Sequence, residues 1–61
     1  MFIEVILADT HDRILLNFNQ VIKIERKGRT CIITDIHNNK IQVIYDEKLD
    51  INITWLLHMH D

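Results

Sequence analysis

The sequence contains no proline, no serine, a single glycine (Gly28) and a single cysteine (Cys31). Each shortage closes off a class of protein. A chain so poor in proline, glycine and serine lacks the composition that keeps segments disordered. Without serine there is no Ser/His/Asp triad. A lone cysteine excludes an intrachain disulfide and fits a reducing compartment. Its setting, Thr30-Cys31-Ile32-Ile33, reads as strand interior, where a free thiol behaves as a small hydrophobe. No apolar run approaches the roughly 18 residues that a membrane span needs. Met1-Phe2-Ile3-Glu4 carries neither a basic region nor a cleavage signal, so a cytoplasmic protein is expected. A net charge of −2 offers no general attraction to nucleic acid or anionic lipid. There is also no glycine-rich phosphate loop and no Cys/His arrangement at recognisable spacing. Neither an enzyme nor a cofactor is expected.

What the chain has in quantity is isoleucine, twelve in 61 residues. β-branched residues favour strands, and five strand-like segments alternate with short polar turns. Phe2 to Ala8 sets Ile3, Val5 and Leu7 on one face and Phe2, Ile6 and Ala8 on the other. Arg13 to Asn17 follows the Asp9-Thr10-His11-Asp12 turn, where the carboxylates fit local turn hydrogen bonds. Val21 to Arg26 groups Ile22 with Ile24, against Lys23 and Glu25. Lys27-Gly28 suits a hairpin, since glycine tolerates positive φ. Arg29 to Ile36 is the fourth segment, Asn38-Asn39 a second hairpin turn, and Ile41, Val43 and Tyr45 alternate in the fifth. Connections this short favour antiparallel neighbours. The expected fold is a single small α+β domain over residues 1–61, a five-strand antiparallel meander, curled or forming a partial barrel, with a C-terminal helix.

The tail, residues 50–61, fits two structures. With period two, Ile51, Ile53, Trp55, Leu57 and Met59 share a face, which gives an all-β alternative with a sixth strand at 50–60. With period 3.6, Leu49, Ile53, Leu56, Leu57 and His60 form one stripe, and Ile51, Trp55 and Met59 an adjoining one. Asp46 and Glu47 suit the start of a helix. Either way, apolar side chains remain after one face is filled. A chain of this length buries only about 60% of its unfolded surface, and small domains commonly make up the deficit by oligomerising. Ile51, Trp55 and Met59 are therefore expected at a homo-oligomer interface, with Trp55 the residue that best fits an anchor.

The segments Phe2-Ile3-Glu4-Val5, Ile14-Leu15-Leu16-Asn17, Val21-Ile22-Lys23-Ile24-Glu25, Thr34-Asp35-Ile36-His37-Asn38-Asn39-Lys40 and Val43 resemble the FlbD-like (flagellar, swarming-motility) family of small bacterial and mobile-element proteins. More distantly they are similar to the strand region of LytTR-type DNA-binding domains. The resemblance spans about three quarters of the chain. It implies a small β-meander closed by a helix over Leu49 to Met59, and a non-enzymatic accessory or regulatory role. The chain departs from the family at the helix start, where Glu47-Lys48-Leu49-Asp50-Ile51 replaces an E-S-x-x-E-I pattern. No set of base-contacting residues carries over.

Two polar clusters remain. Lys23, Arg26, Lys27 and Arg29 are four of the seven Lys and Arg residues. Around a tight turn such residues can hold phosphate or nucleic acid, and their plainer role is to keep a strand edge in solution. They motivate two alternative functions, a DNA-binding regulator and an oligomeric, phage-borne protein sequestering a nucleotide or other phosphate-bearing ligand. His58, His60 and Asp61 include donors of metal-binding type, but a helix sets the two imidazoles about 200° apart. No metal site is assigned. The leading expectation is a homo-oligomeric binding module acting through a macromolecular partner, with no membrane association.

Overall fold

A computed structural model describes the backbone of residues 1–59 and the side chains of residues 1–55. The fold is α+β. Its elements are β1 (Phe2–Ile6), β2 (Arg13–Asn17), β3 (Val21–Lys27), β4 (Thr30–Asp35), β5 (Lys40–Ile44) and the helix α1 (Glu47–Met59). All strand pairs are antiparallel, but they form two sheets, β1-β2 and β3-β4-β5, and not the single meander that the short connections suggested. The break falls between β2 and β3. There Phe18–Gln20 makes one turn of 3-10 helix, with the Asn17 side chain accepting from the Asn19 N–H at 3.1 Å. This turn buries Phe18 and carries the chain out of hairpin geometry. The sheets meet at an isolated bridge between Leu7 and Val43, where the Ala8 N–H donates to the Gln42 carbonyl at 3.0 Å.

One core serves both sheets. Ile3 and Val5 from β1, Phe18, Cys31 and Ile33 from β4, Val43 from β5 and Leu49 from α1 are its buried members. The buried positions of β1 and β5 alternate as the pleat requires, whereas in β4 Ile33 and its neighbour Thr34 are both buried. A bulge between Val21 and Lys23 shifts the register of β3 on β4, leaving Ile22 exposed while Ile24 stays half-buried. The expected pairing of Ile22 with Ile24 therefore fails, because an extra residue in one strand breaks the alternation.

The turns follow backbone chemistry closely. Gly28 has φ +62°, and a Cβ built there would meet nothing within 4 Å, so glycine is favoured by conformation and not by space. At the other hairpin Asn38 takes φ 66°, a value asparagine reaches more easily than most residues. The Asp35 carboxylate accepts from the His37 and Asn39 N–H groups, each at 2.9 Å. These bonds, that of Asn39 foremost, hold its pKa below the ordinary aspartate value.

α1 settles the tail as helix, against the sixth-strand alternative. The Leu49 N–H donates to Asp46 Oδ1 at 2.8 Å, and the Asp50 N–H closes the first helical turn on the Asp46 carbonyl at 3.0 Å. Glu47 and Asp50 place negative charge in the first turn, where the helix dipole favours it. Leu49 then enters the core, and Ile53, four residues on, packs against it. Cap and stripe together outweigh the strand preference of Ile51, Ile53 and Trp55. Among the described residues, no helix is long and apolar enough to cross a membrane.

Candidate association face on the C-terminal helix

A helix that buries Leu49 and half-buries Ile53 must turn the intervening positions elsewhere. Ile51 and Trp55, one helical turn apart, lie at the surface, 52% and 64% exposed. Asp50, Ile51, Thr54 and Trp55 line an open groove along this side. The Thr54 hydroxyl donates back to the Asp50 carbonyl at 2.9 Å, so it is satisfied within the helix. Trp55 is thus largely at the surface, with most of its side chain open to contact. Met59, the third residue expected at an interface, closes the described helix, and its side chain lies outside the described residues. The side chains of His58, His60 and Asp61 also lie outside them. Among the described residues, no three His, Cys, Asp or Glu side chains cluster to hold a metal ion.

The base of the helix is fixed by a polar joint that the sequence pattern did not reveal. Tyr45, just after β5, donates its hydroxyl to the Asp50 carboxylate. The Arg26 guanidinium stacks over the Tyr45 ring at 4.2 Å from the centroid. The hydrogen bond to Asp50 is the main reason the Tyr45 pKa lies above its ordinary value, with partial desolvation adding to it. Glu4 adds exposed ion pairs to Arg13 at 3.7 Å and to Lys48 at 3.9 Å, linking the helix start to the β1-β2 hairpin. Exposed pairs of this kind contribute little energy.

The four basic residues around the Gly28 turn do not converge. Arg26 lies opposite Cys31, on the core side of the sheet, while Lys27 pairs with Thr30 on the other side. An anion approaching Arg26 would meet Asp46, Glu47 and Asp50, which line the same recess as Arg26 and Tyr45. Arg26 Nε also donates to the Gly28 carbonyl at 3.3 Å. Lys23 is engaged with Glu25 at 3.6 Å. Arg29 is exposed in the turn, and its carbonyl accepts from the Tyr45 N–H at 2.8 Å. His11 and His37 are exposed, in the β1-β2 and β4-β5 connections.

Sequence reasoning missed Tyr45 and Asp50 as partners of Arg26. Their spacing of five residues spans the end of a strand and the start of a helix, so neither periodicity exposes it. No family model, curated protein or solved structure matches the chain.

Proposed function

We propose that this chain is a non-enzymatic binding module that self-associates through the exposed face of α1 and serves a macromolecular partner in a regulatory or accessory role. The observation that carries the reading is Trp55, about two thirds exposed beside an exposed Ile51, on a helix whose opposite side is anchored by Leu49. Tryptophan is the residue type most enriched at interface hot spots. Adjacent exposed apolar side chains on a small domain mark contact surfaces more often than a scattered one does. The accessory role leans on the resemblance to FlbD-like proteins. A cytoplasmic setting agrees with a buried free Cys31.

The alternative phosphate and DNA readings draw less support from the geometry. The basic turn is divided between two faces of the sheet, and Arg26, stacked on Tyr45, lines a recess shared with Asp46, Glu47 and Asp50. Sedimentation of the wild-type chain and of Trp55→Asp tests the proposal. An oligomer whose mass the substitution lowers supports it, and a wild-type monomer at every concentration overturns it.

A further inference from the structure

The face of α1 is small for a stable oligomer. Ile51 and Trp55 alone offer little apolar area to set against the freedom that association costs. A second self-complementary surface lies on β2. The Leu7 N–H donates to the Asp12 carbonyl at 2.9 Å, and the Phe18 N–H to the Met1 carbonyl at 2.8 Å, marking both ends of the β1-β2 ladder as hydrogen-bonded pairs. Such pairs alternate in an antiparallel ladder. Ile14 and Leu16 thus bond to β1, while Arg13, Leu15 and Asn17 aim their backbone groups away from it. Among the described residues, β2 pairs with no strand but β1.

In the second sheet the outer strand away from the Leu7–Val43 bridge, β3, is blunted by its bulge and by Lys23 and Lys27, two devices that discourage edge pairing. β2 has no bulge, and its one charged residue, Arg13, is at its start. Leu15 at its centre is 69% exposed, and Phe2, its diagonal neighbour on β1, is 67% exposed.

We infer that β2 pairs antiparallel with β2 of a second copy, about a two-fold axis at Leu15, to give a continuous four-stranded β1-β2-β2-β1 sheet. The register is self-complementary. Leu15 exchanges hydrogen bonds with Leu15 of the second copy, and Arg13 faces Asn17, so no like charges are opposed. Phe2 and Leu15 of both copies then form one apolar ridge on the outer face. The inference rests on self-association but uses a surface separate from α1. With both faces in use, the chain assembles beyond a dimer.

Amide hydrogen exchange at low and high protein concentration tests this directly. The Leu15 and Asn17 N–H groups are expected to exchange freely when dilute and to gain protection on association, while Ile14 and Leu16 stay protected throughout. Leu15→Pro removes only an outward N–H, at an edge position where proline is tolerated. It should weaken edge pairing at least about tenfold. Free exchange of Leu15 in a chain shown to be oligomeric would overturn edge pairing and leave the α1 reading standing. Leu15 protection retained in a Trp55→Asp variant that falls from a larger oligomer to a dimer would support both surfaces, and a Trp55→Asp variant of unchanged mass with Leu15 protected would support edge pairing and overturn the α1 reading. A chain that is monomeric at all concentrations would overturn both.

Discussion

The two sheets divide the work of this small domain unequally. In β3-β4-β5, Cys31, Ile33 and Val43 are almost completely enclosed, and burial raises the Cys31 thiol pKa, with Arg26 opposing the shift. In β1-β2, Ile3 and Val5 face the same core, yet Phe2 and Leu15 on the opposite side stand in the open. The helix repeats the contrast within one element, with Leu49 enclosed and Ile51 and Trp55 exposed. A chain this short cannot enclose all of its apolar side chains. What distinguishes one region from the other is which surplus is left outside, and on which element.

The contrast is broken most sharply by truncating one residue on each side of it. Ile33→Ala should cost about 2–5 kcal/mol through the lost transfer energy and the cavity left behind. Leu15→Ala should change monomer stability by no more than about 0.5 kcal/mol. Urea unfolding at low protein concentration separates the two, and equal losses would mean that Leu15 is not a surface residue of the monomer.

A second test concerns the hinge between sheet and helix. Asp46→Ala removes the side chain that accepts the Leu49 N–H, and a loss of about 1 kcal/mol is expected. Helical circular dichroism should fall, while β-sheet amides stay protected.

Much of this architecture was legible in the sequence. The five strand-like segments, both hairpin turns and the Asp46 start of α1 follow from alternation, from residues that accept positive φ and from a capping side chain. These are local signals. The division into two sheets was not legible, because it depends on Phe18 turning inward within a polar stretch, Asn17-Phe18-Asn19-Gln20. The bulge at Ile22 was hidden for the same reason, since register is decided by the partner strand. At the candidate site, helical spacing pointed to Ile51 and Trp55, which the fold leaves exposed. The stacking of Arg26 on Tyr45 joins residues distant in sequence and leaves no local trace.

Thr34 offers a milder probe of the enclosed sheet. It is buried, and its hydroxyl oxygen has no hydrogen-bond partner among the described residues. Thr34→Val keeps the shape and removes the unsatisfied group, so a gain of up to about 1 kcal/mol is expected. A loss of stability in thermal unfolding would indicate that the hydroxyl has a role the fold does not show.

The smallest effect is expected at the exposed β4-β5 turn. The pKa of Asp35 is lower in the folded chain than in the unfolded one. Its stabilising contribution is therefore present at neutral pH, above the unfolded value, and is lost as the pH falls through the folded value. Asp35→Asn should flatten that part of the acid limb in a series of denaturation midpoints against pH. An unchanged limb would remove Asp35 from the account.

The claim that the surplus apolar surface serves association is tested most directly by sedimentation equilibrium of the wild-type chain beside Trp55→Asp, at matched concentrations. The account predicts a wild-type mass at a multiple of the 7.3 kDa chain and a shift towards monomer in the variant, with folding unchanged. A single 7.3 kDa species for the wild type across the whole concentration range would contradict it.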